Sequence, residues 1–321
     1  SYRPQNKPNT SQTRRIFERR DSWGNEWRLK IERTRLKITK LNIMIVSDLL
    51  KSGSKFLKSN KVPTHQLDTE IMLSSLLRKE REHIIINSEK KVSKNVVNNF
   101  NKLILRRSKR EPLAYILNKK EFWSKNFFVN KNTLIPRPET ELLCDAVIKK
   151  IKNKNSFILD IGTGTGCVLL SILSEIKKAK GIGVDISSKA IVVAKKNSNN
   201  LGLNKRAKFL TSSFENIHGR KFDLIISNPP YIKTRDIKNL TDDVRKYEPK
   251  IALDGGKDGL DVIKKVIYKS KTILKKLGML ALEIGYGQHS NVSQILKEQG
   301  FKEELLVKDY RDNIRCILAR Y

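Results

Sequence analysis

The feature that most limits what this chain can become is a strand that runs into three alternate glycines and leaves them as a helix. Phe157-Ile158-Leu159-Asp160-Ile161 reads as a buried strand, Gly162-Thr163-Gly164-Thr165-Gly166 follows at once, and Val168 to Ile176 repeats apolar residues at helical spacing. Glycines at alternate positions let the backbone turn tightly and let a ligand approach with no Cβ in the way. The next strand, Gly181-Ile182-Gly183-Val184-Asp185, ends in an acid 19 residues beyond Gly166, where α/β folds bind ribose hydroxyls. The dinucleotide fingerprint would want glycine at 167, and Cys167 there disfavours NAD. An adenosine-type cofactor is the expectation. Asp160 either touches that ligand or caps the loop's own N–H groups.

Strand–helix alternation continues through Ala207–Leu210, Phe222–Ser227, a helix from about Leu260 to Leu277, and Met279–Ile284. Phe301–Val307 and Ile314–Ala319 read as a closing antiparallel pair. The pattern predicts an α/β doubly wound sheet with an antiparallel edge hairpin. Its fourth strand, Phe222–Ser227, runs straight into Asn228-Pro229-Pro230-Tyr231. Two prolines lack an N–H and have φ locked, so the strand stops and the loop is stiff. Asn228 is left at the carboxyl end of a strand, where open α/β sheets bind ligands. Its amide has an oxygen and an NH2 group, so it can grip another amide or an amino group by paired hydrogen bonds. A plain Asn turn is the alternative.

Residues 1–43 carry twelve Lys/Arg against four Asp/Glu and no sustained apolar period. Such a segment cannot bury enough surface to offset its ordering entropy. It reads as a basic arm for nucleic acid, as an Arg-rich organellar targeting peptide, or as translated upstream sequence with Met44 as the start. The third is favoured, because an amphipathic pattern opens at Met44 and the acids Glu18, Asp21, Glu26 and Glu32 weaken the second. From 44 to 116 apolar residues recur at helical spacing, which predicts a small bundle of four or so short helices. Its basic outer face (Lys102, Arg106, Arg107, Lys109, Arg110) either meets a substrate protein or RNA or is simply solvated. Residues 117–141 read as a hairpin linker around Phe122 to Val129, ending in Leu134-Ile135-Pro136-Arg137-Pro138-Glu139-Thr140-Glu141. Arg137, fixed between two prolines, either holds a carboxylate or ties two domains together. Residues 142–321 form the sheet domain.

Lys and Arg number 66 against 33 acids, a net charge of +33. That field predicts an anionic neighbourhood, RNA or the ribosome, though biased coding of a solvated surface accounts for it equally. Cys144, Cys167 and Cys316 are odd in number and lack C-x-x-C spacing, which suits a reducing compartment and argues against a disulfide framework or a zinc site. The four histidines are scattered, so no metal is expected. No apolar run is long enough to span a bilayer.

Together, Gly162–Gly166, Asp185 and Asn228-Pro229-Pro230-Tyr231 resemble the class I S-adenosylmethionine-dependent methyltransferases that modify planar nitrogen groups. The segments Leu134–Glu141, Tyr247-Glu248-Pro249, Leu253–Leu260 and Leu282-Glu283-Ile284-Gly285 resemble the peptide chain release factor glutamine N5-methyltransferases, the HemK/PrmC family. The match runs from about Met44 to Tyr321. It implies a Rossmann-like methyltransferase sheet behind a helical substrate-recognition domain, and a cytoplasmic enzyme (mitochondrial if residues 1–43 are a targeting peptide). It implies that Gly162, Thr163, Gly164, Thr165, Gly166, Asp185 and Asn228 hold S-adenosylmethionine, with Phe214 against the adenine. It further implies that Asn228, Pro229, Pro230 and Tyr231 hold the glutamine of the Gly-Gly-Gln loop in a class I release factor, with Asn228, Pro229 and Tyr231 serving the transfer. Four positions depart from the family pattern: Asn118, Ser124 and Asn313 stand where glycines are usual, and Ser213 replaces an acid beside the adenine.

The chemistry accounts for these residue types. An amide nitrogen is a poor nucleophile, and the sulfonium is an activated electrophile, so the protein's task is alignment. The Asn228 side-chain oxygen and the Pro229 carbonyl can accept the two amide protons, while Tyr231 walls the pocket. A ribosomal-protein glutamine methyltransferase and an adenine-N6 nucleic-acid methyltransferase use the same loop chemistry. A non-enzymatic RNA-binding protein with a relic fold is a third alternative.

Overall fold

The computed structural model describes residues 44–151, 155–219 and 221–321, and the expectations for residues 1–43 lie outside them. Contacts divide the chain into two compact units, the first ending in 64–102 and the second made of 59–63 and 103–321. In the first, β1 (Met44–Ile45) pairs antiparallel with β2 (Lys91–Val92). Around this pair stand α1 (Val46–Ser59), α2 (His65–Leu77), α3 (Arg81–Ile86) and α4 (Lys94–Ser108), the last contributing to both units. The helical pattern expected to open at Met44 opens at Val46, because Met44 and Ile45 give their backbone groups to β2 instead. Leu49, Leu57, Met72, Leu73, Ile84 and Phe100 are fully buried, which is where the spacing of three and four put them.

The second unit opens with α5 (Leu113–Leu117) and a hairpin of β3 (Lys120–Phe122) and β4 (Lys125–Phe127). The two residues joining these strands, Trp123 and Ser124, both have positive φ, as a tight primed turn requires. Asn118, which caps α5, is also left-handed. Two of the departures from glycine therefore keep the backbone that glycine would adopt, and Asn is among the residues that tolerate it. Of the basic residues expected on an outer face, Arg106 pairs with Glu111, while Arg107 and Arg110 both grip Asp243 at 2.7 and 2.5 Å. Those three are ion-paired within the fold rather than left to solvent.

After α6 (Glu139–Lys150) the sheet begins. Its strands are β5 (Phe157–Ile161), β6 (Lys180–Asp185), β7 (Ala207–Thr211), β8 (Phe222–Ser227), β9 (Leu274–Glu283), β10 (Lys302–Lys308) and β11 (Ile314–Arg320). They lie in the order β10-β11-β9-β8-β5-β6-β7, with β9 through β7 parallel and β10 and β11 antiparallel at one edge. The helices are α7 (Cys167–Glu175), α8 (Ser188–Asn200), α9 (Asp242–Tyr247), α10 (Asp261–Ile273) and α11 (His289–Glu298). Successive residues of a strand feed opposite cores. Ile158, Leu224 and Ile226 pack with α6 and α7 on one face, and Leu159, Ile161 and Ile225 pack with α10 and α11 on the other. A strand covered on both faces must be apolar throughout, which is why the central strands read as continuous hydrophobic runs.

The helix expected to run to Leu277 ends at Ile273, and β9 begins at Leu274. Neighbouring strands capture the backbone here: Lys221 N donates to Ile273 O, Leu277 N to Tyr321 O and Tyr321 N to Gly278 O. Tertiary pairing overrides a local helical pattern. Between Leu274 and Met279 the β8–β9 register slips, and Leu277 takes a positive φ.

Order along the sheet locates the site. From β5 the chain winds outward through β6 and β7, then returns to β8 on the other side of β5. The carboxyl ends of β5 and β8 flank that reversal, the place where such sheets bind ligands.

Two groups of buried titratable residues carry measurable consequences. Burial pushes the Cys144, Cys167 and Cys316 thiols up, Cys167 to about 12. Thiolate is the reactive form, so in the folded protein thiol reagents should label these three only at the rate of unfolding. Fast labelling in the absence of denaturant would contradict their burial. Asp160, 3% exposed, accepts the Thr163 hydroxyl at 2.6 Å. Burial raises its carboxyl from 3.8 to about 7, against the pull of hydrogen bonds from Thr163 and the Leu169 backbone. With the folded value above the unfolded one, the unfolded chain loses its proton first as pH rises. Asp160 therefore lowers stability progressively between about pH 4 and about pH 7. Asp160→Asn should flatten that part of the urea-midpoint profile; an unchanged slope would remove Asp160 as its source.

Candidate active site

Three backbone corners converge at the reversal. The first is the glycine turn after β5. Gly162 and Thr163 N–H both donate to Val184 O, which fastens the turn to the end of β6. Gly166 enters α7 with a φ of +78, and a Cβ there would press on the Phe209 ring at 3.1 Å. A Cβ at Gly162, by contrast, would meet nothing within 4 Å. The turn is thus packed beneath and open above.

The second corner is Asp185, at the end of β6. Its Oδ2 accepts from Gly164 N at 3.0 Å and its Oδ1 from Ser187 N at 2.9 Å. Burial raises its pKa, opposed by those two backbone donors. Each carboxylate oxygen keeps capacity for a further donor. Ser212 N donates to Asp185 O, which brings the segment after β7 alongside. There Ser213, in place of an acid, accepts from Glu215 N and caps the single turn that carries Phe214. Phe214 is partly buried against the α10 and α11 side of the sheet.

The third corner is Asn228-Pro229-Pro230-Tyr231, after β8. Pro229 is buried, and Asn228, Pro230 and Tyr231 are half-buried. Asn228 Nδ2 donates to Thr140 Oγ1 at 3.1 Å, and its Oδ1 has no hydrogen bond among the described residues. Thr140 donates to Glu283 Oε2 at 2.6 Å, and Tyr231 donates its hydroxyl proton to Glu283 Oε1 at 3.2 Å. Arg315 Nη2 in turn lies 3.3 Å from the Tyr231 hydroxyl. Glu283 is fully buried. Burial raises its pKa, while Thr140, Arg315 and Tyr231 pull it down. Burial and the nearby Glu283 push the Tyr231 phenol up to about 12, so it stays a donor.

A second loop braces this corner. Ile232 and Asp254 form a parallel bridge, Ile232 N donates to Leu253 O, and Gly255 N donates back to Ile232 O. Gly259 has a φ of +79, and a Cβ on it would overlap the Tyr231 carbonyl oxygen. Gln288 closes the arrangement, taking Gly285 N on its Oε1 and donating from Nε2 to Tyr231 O and Gly259 O. Arg137 makes a structural tie: it pairs with this chain's own buried Glu248 at 2.5 Å, whose other oxygen accepts from Ile135 N at 3.0 Å.

The candidate residues Gly162–Gly166, Asp185, Phe214 and Asn228–Tyr231 thus follow the carboxyl ends of β5, β6, β7 and β8. Sequence reasoning assigned no role to Thr140, Glu283, Glu248, Gln288 or Arg315. Thr140, Glu248 and Glu283 sit inside segments recognised as family-specific, and that was the available signal. Asn197 gave none: its side chain bonds both backbone groups of Phe128 and also Thr165 O, clamping the end of the hairpin to the glycine turn. Among the described residues no cluster of His, Cys, Asp and Glu could hold a metal ion, and no helix is long and apolar enough to cross a membrane.

Comparison with known proteins agrees with this arrangement. Residues 48–117 match the PrmC N-terminal domain and residues 152–300 a methyltransferase domain. A Caulobacter vibrioides protein named release factor glutamine methyltransferase is 39% identical over 265 residues, covering 82% of this chain and 92% of its own length. A Clostridium botulinum protein of the same name is 40% identical over 281 residues, covering 86% and 99%. Among solved structures, the hMettl16 catalytic domain in complex with an RNA hairpin shares the fold at 16% identity. It has a TM-score of 0.50 and covers 72% of this chain and 84% of its own. With that identity over that length, the chain belongs to the release factor glutamine methyltransferase family.

Proposed function

We propose that this protein transfers a methyl group from S-adenosylmethionine to the side-chain amide nitrogen of the glutamine in the Gly-Gly-Gln loop of a class I release factor. The observation that carries the reading is the state of Asn228. Its NH2 is engaged by Thr140, its oxygen is unengaged among the described residues, and it stands beside the glycine turn on a corner stiffened by two prolines. The names of the relatives support the same substrate.

The residues present fit the cofactor. The space above Gly162 is open, and Asp185 is oriented by Gly164 and Ser187 with acceptor capacity left for a ribose. Gly162, Thr163, Gly164, Thr165 and Gly166 would line it, with Phe214 beside the adenine. Bound S-adenosylmethionine supplies a methyl group on an electrophilic sulfonium. Asn228 Oδ1 and the Pro229 carbonyl accept the two N–H groups of the target amide and hold its nitrogen in line. They also stabilise the positive charge that grows on nitrogen as the C–S bond breaks to leave a neutral thioether, and the methylated nitrogen then loses one proton to solvent to become the neutral N-methylamide. Tyr231 walls the pocket against water. The pair Glu248–Arg137 holds the Ile135–Pro138 segment from which Thr140 follows.

In this reading residues 44–116 recognise the release factor, 117–141 link, and 142–321 hold the cofactor. The net charge of +33 suits work near RNA or the ribosome, and three buried unpaired thiols suit the cytoplasm.

Labelled S-adenosylmethionine offered with release factor, ribosomal protein and RNA side by side should label the release factor. Asn228→Ala should keep cofactor binding through the glycine turn and Asp185 and lose roughly 100- to 1,000-fold in transfer, the usual cost of one aimed hydrogen bond at a developing charge. Normal turnover by that variant would refute the role of Asn228. Label on the ribosomal protein alone, or on RNA alone, would reassign the substrate.

A further inference from the structure

Segments far apart in the sequence meet in one directed chain of hydrogen bonds. A guanidinium can only donate, so the Tyr231 hydroxyl accepts from Arg315 Nη2. The phenol's single proton then goes onward to Glu283 Oε1. Thr140 lies 2.6 Å from the other oxygen of the same carboxylate and likewise has one proton to give. With that proton on Glu283, Thr140 Oγ1 can face Asn228 only as an acceptor, at 3.1 Å. Only the NH2 half of the Asn228 amide can meet it.

This matters because an amide and its flipped form have the same shape. Packing does not distinguish them; only the partners do. Flipped, Asn228 would present an NH2 to the NH2 of a target glutamine, donor against donor. We propose that Thr140 and Glu283 are positioning residues that lock the Asn228 amide with its oxygen toward the substrate nitrogen. The proposal rests on the reading of Asn228 as the acceptor of the target amide. The directions agree end to end: Glu283 receives from two hydroxyls, one on each oxygen, and each hydroxyl is left as an acceptor for its outer neighbour. Glu283 is fully buried, away from bulk solvent.

The Thr140→Val variant keeps the shape and removes both the acceptor that faces Asn228 and the donor to Glu283. Its kcat should fall roughly 10- to 100-fold, as expected for a misaligned reacting pair, with KM for the release factor and affinity for S-adenosylmethionine unchanged. Thr140→Ser should restore most of the turnover. A merely structural threonine would move KM and cofactor affinity together with kcat. The direction of the chain is read separately, by exchanging amide and acid at constant charge. In Asn228→Asp alone, an aspartate faces a threonine lone pair, and the thermal midpoint should drop. In the double variant Asn228→Asp, Glu283→Gln, a glutamine at 283 donates to Thr140 and Thr140 donates to the aspartate, so most of the midpoint should return. That measurement needs no activity, and it decides alone if Thr140→Val fails to fold. Full kcat in Thr140→Val, or a double variant no more stable than Asn228→Asp, overturns the proposal. Absence of transfer by the parent enzyme, or full transfer by Asn228→Ala, would instead overturn the reading of Asn228 on which it rests.

Discussion

A carboxylate sealed inside a protein must be solvated by the protein, and in this fold that requirement gathers the site. Glu283 ends β9 with no exposure, between two apolar layers. An unsatisfied buried charge costs several kcal/mol on the order of a whole domain's margin, so its oxygens need donors. Thr140 arrives from α6 and Tyr231 from the corner after β8, one to each oxygen. Because both donors belong to segments that face the reversal, satisfying the carboxylate also sets those segments in place. Stability and site geometry are here the same contacts.

The stiffness of the corner has a comparable double origin. Two prolines limit its backbone from within. From outside, the loop 253–260 lies against it so closely that Gly255 and Gly259 have no room for a side chain. The segment Leu253–Leu260 therefore has no need to touch substrate to be indispensable. Its glycines let the Tyr231 and Pro230 carbonyls come close, and Gln288 bonds the two loops together from a third direction.

Much of this was legible in the sequence, and the boundary of legibility is physical. Strands buried on both faces announce themselves as apolar runs, and a glycine turn between a strand and a helix announces a ligand loop. Those signals are local. The end of α10 is not, because Ile273 and Leu277 give their backbone groups to Lys221 and Tyr321, which no window around residue 275 contains. Nor is the Thr140–Glu283 bond, whose partners are 143 residues apart. Family-specific segments such as Leu134–Glu141 and Leu282–Gly285 showed where something had to be kept without showing what. The departures at Asn118 and Ser124 teach the reverse: the residue changed and the left-handed backbone stayed.

The site as a whole contains acids, a phenol and a guanidinium, yet in the proposed reaction none of them exchanges a proton during transfer. Tyr231 is held as a phenol by a raised pKa, and Arg315 remains a cation. In the proposed role their fixed charges and dipoles aim one neutral amide. That suits the reaction: the sulfonium leaves as a neutral thioether and needs no acid, so the task left to the protein is to orient a reluctant nitrogen. A static, fully bonded frame suits this better than a titrating one, since every proton with two possible homes would give Asn228 two possible faces. The acid that terminates the frame has one donor on each oxygen, and those two bonds fix the direction of the others.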